Sequence, residues 1–237
     1  MSQITNDRHF HTTLWSMVLQ AGGGEGARKH AALDELCRLY WKPLFVYCLN
    51  KGRKVEDAED LTQAFFEHLL ARDTLRVVDP ARGRFRGFLL TSFKHFISDQ
   101  GDRASAARRG SGAVHLSFDI DFAEINALSP SMELTPEQAF DRQWAFDLID
   151  RATASLRSEY QAAGKEQWYE LAVGSQAGAS YAEVAAELGS TEEAVKSFVK
   201  RARRRFRETL EREIADTVGS PDEAAEEMVY LIELLQA

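Results

Sequence analysis

The chain has 237 residues but only two cysteines, five prolines and no apolar run near the ~18 residues of a membrane span. Its N-terminus lacks the basic and then apolar segments of a signal peptide, so we expect a cytoplasmic protein. Cys37 and Cys48 lie about 16 Å apart along one predicted helix, which is too far for a disulfide. We therefore expect two buried thiols of a reducing compartment.

The sequence also lacks the patterns that hold common cofactors. No Cys-x-x-Cys pair and no paired His/Cys spacing indicates a metal site. No Gly-x-x-x-x-Gly-Lys or Gly-x-Gly-x-x-Gly loop indicates a nucleotide site. We therefore expect no metal, no cofactor and no catalytic residue.

Apolar residues recur with the 3.6-residue period of helices, and no convincing strand alternation is present. The pattern predicts an all-α protein of two helical domains, residues 12–110 and 136–218. Residues 111–135 between them are polar and acidic and are predicted to form a flexible linker. Residues 219–237 are predicted to form an acidic, amphipathic tail. Its predicted apolar stripe consists of Ala225, Met228, Ile232 and Leu235.

A helix-turn-helix is predicted near the end of the second domain. Ser180 and Glu183 fit a capping box at the start of its first helix. Gly189 fits the left-handed residue that ends this helix, and Thr191 fits the N-cap of the next one.

The second helix of this motif carries seven basic side chains and no acid between residues 196 and 207. Such a helix fits the major groove of DNA, with its N-terminal side chains at base edges. The alternative is a solvated helix whose cations interact with its C-terminal dipole. Seven cations without one acid favour DNA binding.

The predicted helix around residues 55–67 carries five acids and no base. Its polar face consists of Glu56, Glu59, Asp60, Gln63 and Glu67. An acidic stripe with a central amide suits a basic protein partner. The alternative is that acids merely favour the first turn of a helix, which does not explain Gln63 or Glu67.

Residues 82–109 carry seven bases against two acids, interleaved with phenylalanines at helical spacing. Bases mixed with aromatic rings suit a single-stranded nucleic acid, whose unstacked bases rest on rings or enter pockets. We interpret the phenylalanines as core residues. The basic side chains that we expect to be exposed are Arg84, Arg86, Lys94 and His95.

Four motifs in fixed order carry a family resemblance. They are Asp57-Ala-Glu-Asp-Leu-Thr-Gln63, Phe85-Arg-Gly-Phe-Leu-Leu90, Tyr181-Ala-Glu-Val-Ala-Ala-Glu-Leu-Gly189 and Val195-Lys-Ser-Phe-Val-Lys-Arg-Ala-Arg203. Over residues 12–215 the chain resembles the extracytoplasmic-function (ECF) sigma factors of bacterial RNA polymerase. Its Thr-Gln-Ala-Phe-Phe segment and extended N- and C-terminal ends resemble a subgroup often encoded near serine/threonine kinases. It departs from the family's usual Trp, Arg and Asn at Phe88, Thr91 and His95.

The resemblance implies two helical domains, a sigma region 2 bundle and a sigma region 4 helix-turn-helix, and a role for each surface. The clamp coiled coil of the polymerase's largest subunit would be bound by Asp57, Asp60 and Gln63. The minus-ten promoter element would be bound by Arg84, Arg86, Lys94 and His95. The minus-thirty-five element would be bound by Thr191, Lys196, Ser197, Lys200, Arg201, Arg203 and Arg204.

The resemblance also suggests a means of control. Thr62 lies beside the clamp-binding face and is the candidate phosphosite, since a phosphate adds about -1.5 to -2 charge there. Acids already surround it, so we favour an ordinary, partly buried helical threonine. An anti-sigma factor, a kinase and the tail remain three alternative regulators.

Two other functions compete with this one. A helix-turn-helix regulator that never joins polymerase explains the basic helix but leaves the acidic helix without a role. An enzyme is the second alternative, because Asp57 with Asp60 and Asp147 with Asp150 each place two carboxylates on one helical face. The second pair leads directly into the DNA-binding half, which disfavours an enzyme.

The formal net charge of -8 discourages a nucleic-acid partner when it is taken as an average. Residues 208–237 hold nine acids and one base, so they account for the whole net charge. Residues 1–207 hold 28 bases and 28 acids. We expect the acidic tail to pack on the DNA-binding domain and to weaken non-specific DNA binding.

Overall fold

The computed structural model describes residues 18, 21–23, 26–71, 75, 84–106, 133–174, 180–218 and 220–236. These ranges are almost entirely helical and contain no strand, which confirms the all-α prediction. None of their helices is both long and apolar enough to cross a membrane. The predicted linker lies outside the described residues except for its last three positions.

The helices of the described ranges follow one another in a simple order. They are α1 (Gly26–Asn50), α2 (Val55–Ala71), α3 (Phe85–Ala106), α4 (Pro136–Ala162), α5 (Glu166–Tyr169), α6 (Tyr181–Glu187), α7 (Glu192–Ala215) and α8 (Pro221–Gln236). A single π-helical turn, Glu170–Gly174, directly continues α5.

Local signals define the start of α4. The Thr135 hydroxyl accepts a hydrogen bond from the Gln138 backbone N–H at 3.2 Å, and the Gln138 side chain accepts one from the Thr135 N–H at 2.9 Å. Pro136 occupies the first turn, where its missing N–H costs nothing. The long helix therefore begins where polar linker residues give way to apolar ones.

The main core forms where α1 packs against α4 and α2, with α3 completing it. Aromatic rings fill much of it, and the Phe65 ring lies 4.9 Å from Phe93 and 5.6 Å from Phe96, centroid to centroid. Burying rings of this size is a large favourable contribution to folding. The basic block of α3 is therefore positioned by its phenylalanines, as the sequence predicts.

A second hydrophobic cluster forms around the C-terminal half of α4. Phe140, Trp144 and Leu148 of α4 belong to the main core, whereas Leu156 packs with Tyr169 and Phe198. The two clusters therefore meet within α4, and this helix links them. The division into two domains at the linker stays a prediction.

Both cysteines are free and buried, which confirms their expected state. Burial raises the pKa of the Cys37 and Cys48 thiols to about 12 in each case. Such thiols stay protonated at neutral pH, so they pack as small apolar groups.

One ionisable group lies in the α1–α4 interface. The Asp147 side chain is 16% exposed, and its Oδ1 lies 3.8 Å from the Lys42 ammonium. The Gln143 amide donates a hydrogen bond to the same oxygen at 2.9 Å. Burial outweighs both partners and raises the pKa of Asp147 to about 6.

We predict that Asp147→Asn stabilises the protein at pH 7. Because the folded pKa of about 6 exceeds the ordinary value of 3.8, ionisation of Asp147 opposes folding. Its contribution to the unfolding free energy falls as the pH rises from 3.8 to about 6 and stays low above that. The variant should gain about 1–3 kcal/mol at pH 7 and almost nothing at pH 4.

Urea unfolding at the two pH values measures this difference. Asp150→Asn is the control, because Asp150 is an exposed acid on the same helix. An equal gain in unfolding free energy for Asp147→Asn at pH 4 and pH 7 would contradict the raised pKa of Asp147.

Candidate nucleic-acid and protein interfaces

The helix-turn-helix is built by the predicted local signals. The Glu183 N–H donates to the Ser180 hydroxyl at 3.3 Å, and the Glu183 carboxylate accepts from the Ser180 N–H at 2.7 Å. The hydrogen bonds that this carboxylate accepts from the Ser180 N–H and hydroxyl lower the pKa of Glu183. Gly189 has a φ of +59°, the left-handed conformation that favours glycine after a helix. The capping box and the turn are therefore confirmed.

Helix α7 is held in place by one cap and one apolar face. The Thr191 hydroxyl accepts a hydrogen bond from the Ala194 N–H at 3.2 Å, as its N-cap assignment requires. Val195 and Val199 pack against Val184 and Ala185 of α6 in a small core of their own. The opposite face of α7 is consequently turned to solvent.

The seven basic side chains between residues 196 and 207 of α7 divide into two groups. Four of them pair with acids: Lys196 with Glu192 at 2.7 Å, Arg204 with Glu208 at 3.5 Å, Arg205 with Glu159 at 2.8 Å, and Arg207 with Glu211 at 2.8 Å. Lys200, Arg201 and Arg203 are exposed, and no acid in the described ranges forms an ion pair with them. Within residues 196–207 the unneutralised positive charge is therefore concentrated on these three residues, with Ser197 exposed nearby.

Helix α2 presents an acidic surface. Asp57 and Asp60 are exposed, and the partly buried Gln63 donates a hydrogen bond to the Glu67 carboxylate at 3.2 Å. Burial, and then repulsion from Glu56 and Asp60, raises the pKa of Glu59. Crowded like charges of this kind favour a cationic partner, which relieves the repulsion.

Thr62 lies on the inner side of α2 and is fully buried. Its hydroxyl donates to the Ala58 carbonyl oxygen at 2.7 Å, one turn earlier in the helix. A kinase has no access to this hydroxyl while α2 stays folded on the core.

Arg86 is buried and not exposed as expected: only 4% of its surface is accessible to solvent. Its Nε donates to the Asp141 carboxylate at 2.7 Å, and its Nη1 forms an ion pair with Glu227. The guanidinium also lies 5.0 Å from the centre of the Trp144 ring. The prediction of an exposed Arg86 is therefore wrong, because two distant acids and an aromatic ring enclose it.

Arg84 is only partly exposed, and it too contacts the tail. Its Nη1 lies 2.5 Å from the Glu227 carboxylate, whose side chain is fully buried. The other two predicted minus-ten residues, Lys94 and His95, are exposed. Lys94 donates to the Glu137 carboxylate at 2.8 Å and lowers the pKa of that acid.

The tail helix α8 packs on α7 and α4, and only Met228 and Leu235 of the predicted stripe pack against the core. Ala225 is exposed and Ile232 is 46% exposed, whereas Leu231, Leu234 and Glu227 are buried. The helix is turned by roughly a quarter turn from the expected orientation. The prediction is therefore wrong for Ala225 and Ile232 and right for Met228 and Leu235, because the ion pairs of Glu227 direct this acid inwards.

Comparison with protein-family models, with curated proteins and with solved structures finds no match to this chain. In the described part of the chain, no three His, Cys, Asp or Glu side chains group as they would around a metal ion. The described surfaces differ in charge: α7 exposes unpaired cations, and α2 exposes carboxylates.

We predict that Thr62→Glu unfolds or strongly destabilises the protein, by about 3 kcal/mol or more, because it places a carboxylate in a fully buried position. Thr62→Val should cost only about 1 kcal/mol, since it removes one hydroxyl hydrogen bond. Thermal and urea unfolding of both variants measure the difference. A Thr62→Glu variant as stable as Thr62→Val would show that the hydroxyl reaches solvent.

Proposed function

We propose that the chain is a promoter-specificity subunit of bacterial RNA polymerase, of the ECF sigma type, with no catalysis of its own. It acts in the cytoplasm, binds core polymerase through the acidic surface of α2 and binds promoter DNA through α7 and α3. The four motifs in family order support this proposal. So do the opposite charges of the two surfaces.

The observation that carries the proposal is the division of the cations on α7. A cation already paired with a neighbouring acid has to break that pair before it binds a phosphate. Lys200, Arg201 and Arg203 carry no such cost, and a correctly capped helix holds them on its solvent face. Arginine in this setting can also donate two hydrogen bonds to one guanine, which gives sequence preference.

The acidic surface of α2 distinguishes this function from that of a DNA-binding regulator. Negative charge at Asp57 and Asp60 repels DNA, so it serves a different partner. A helical clamp rich in Lys and Arg would relieve the repulsion around Glu59. A regulator that never joins polymerase has no need of this surface.

While the tail helix is docked, fewer of the proposed minus-ten residues are exposed than the sequence predicts. Lys94 and His95 on α3 remain exposed, together with Thr91, and Phe88 is partly buried beside them. We propose that this group contacts the melted strand first. Arg84 and Arg86 are occupied by Glu227 in this state.

We predict that Lys200→Ala and Arg201→Ala each reduce promoter-specific initiation about tenfold or more, as expected for losing one base or phosphate contact. The assay is transcription by core polymerase on a library of genomic fragments, read as start-site sequences. Arg212→Ala is the matched control, since it removes the same charge from an exposed site about 16 Å further along α7. Equal losses for all three variants would contradict a specific role for the α7 face.

We predict that Asp60→Asn weakens binding to core polymerase about tenfold, because the α2 surface loses one charge that faces the partner. Asp150→Asn removes the same charge from an exposed site on α4 and should change the affinity less than twofold. Fluorescence anisotropy of labelled protein titrated with core polymerase gives both values. A chain that binds DNA but not core polymerase would be a regulator and not a sigma factor.

A further inference from the structure

The tail helix α8 brings one buried acid into the basic block at the start of α3. The two carboxylate oxygens of Glu227 pair with different guanidinium groups, Oε2 with Arg84 and Oε1 with Arg86. The Tyr230 hydroxyl, one turn further along α8, donates to the Asp141 carboxylate at 2.8 Å. The contact therefore joins the tail to α3 through ion pairs and to α4 through a hydrogen bond.

These residues form a built anion site. Arg84 and Arg86 present their guanidinium groups to one carboxylate, and the Trp144 ring lies against the second guanidinium. Asp141 balances one of the two positive charges from the other side. Without Glu227, the two guanidinium groups and Asp141 leave the site with a net charge of +1. Such a site suits an anion with several oxygens, such as a phosphate.

The remaining contacts of the tail helix are apolar and incomplete. A cavity of about 280 Å³ lies between α8 and the two helices on which it packs. Val229 and Ile232 stay largely exposed, and residues 221–236 carry five acids and no base. A helix of this length is marginal when detached, so its docking depends strongly on Glu227, Leu231 and Leu234.

We propose that Glu227 occupies a phosphate site of the minus-ten surface and that the tail helix must leave before Arg84 and Arg86 bind promoter DNA. The inference rests on the proposed function, since it names the control of the same surface. In the docked state the carboxylate excludes the strand from the two arginines. A DNA backbone phosphate then replaces the carboxylate when α8 detaches.

The test compares two neighbouring acids of the full-length protein. Glu227→Gln and Glu226→Gln change the net charge equally, but Glu227 is buried in the site and Glu226 is exposed. The probe is a labelled, mixed-sequence single-stranded DNA, and its affinity is measured from low to moderate salt. General repulsion of DNA by an acidic tail predicts the same gain for both variants.

We predict that Glu227→Gln binds the probe about tenfold more tightly at low salt and that Glu226→Gln changes the affinity less than twofold. The plot of log affinity against log salt should steepen by about 0.7 for each phosphate contact that is freed. Arg84→Ala should have little effect in the parent chain but should remove most of the gain in Glu227→Gln. Equal gains for the two acid variants, or no gain for either, would overturn the inference.

A second pair of variants decides the question if Glu227→Gln does not fold. Leu231→Ala weakens the docking of α8 without changing any charge, and Ile232→Ala alters a largely exposed neighbour. Leu231→Ala should bind the probe at least fivefold more tightly, together with faster hydrogen exchange across residues 221–236. Faster exchange without tighter binding would overturn the inference.

The results separate this inference from the proposed function. A Glu227→Gln gain that depends on Arg84, in a chain that supports no initiation with core polymerase, rejects the sigma function and keeps the anion site. Initiation that depends on Lys200, with no gain for Glu227→Gln or Leu231→Ala, keeps the sigma function and rejects the control by the tail.

Discussion

The buried ion pairs of Arg86 are the constraint on which the arrangement of the basic surfaces depends. One guanidinium meets Asp141 of α4 and Glu227 of α8 at a residue that is only 4% exposed. Removing one partner from a buried pair leaves an uncompensated charge and costs about 3–5 kcal/mol. The pairs therefore hold the first turn of α3 against two helices that are distant in sequence. They also place Glu227 of the tail against α3, beside the buried Leu231 and Leu234.

Ion pairs of this kind determine which Lys and Arg side chains are free to bind a partner. The chain carries 29 Lys and Arg residues, but those around the tail and along much of α7 are neutralised by nearby acids. Lys200, Arg201 and Arg203 remain unpaired within the described ranges, and they share one solvent-exposed face of α7. Charge segregation, and not the net charge of -8, therefore determines what the protein can bind.

Local features could be predicted from the sequence because their causes lie within a few residues. The capping box at Ser180, the left-handed Gly189 and the N-cap at Thr191 all follow from side chains within one helical turn. The burial of Arg86 could not be predicted, because its partners lie 55 residues away at Asp141 and further still at Glu227. One signal was present, since Glu227 lies at helical spacing from two leucines that are buried beside it.

Hydrogen exchange of the full-length protein, alone and in a complex with core polymerase and promoter DNA, tests the account most directly. We expect slower exchange in α2 and α7, where the two partners bind, and faster exchange across residues 221–236, where the tail helix leaves Arg84 and Arg86. Unchanged exchange in α2 would contradict binding to polymerase through the acidic surface. Protection of the tail in the complex would contradict its release from the anion site.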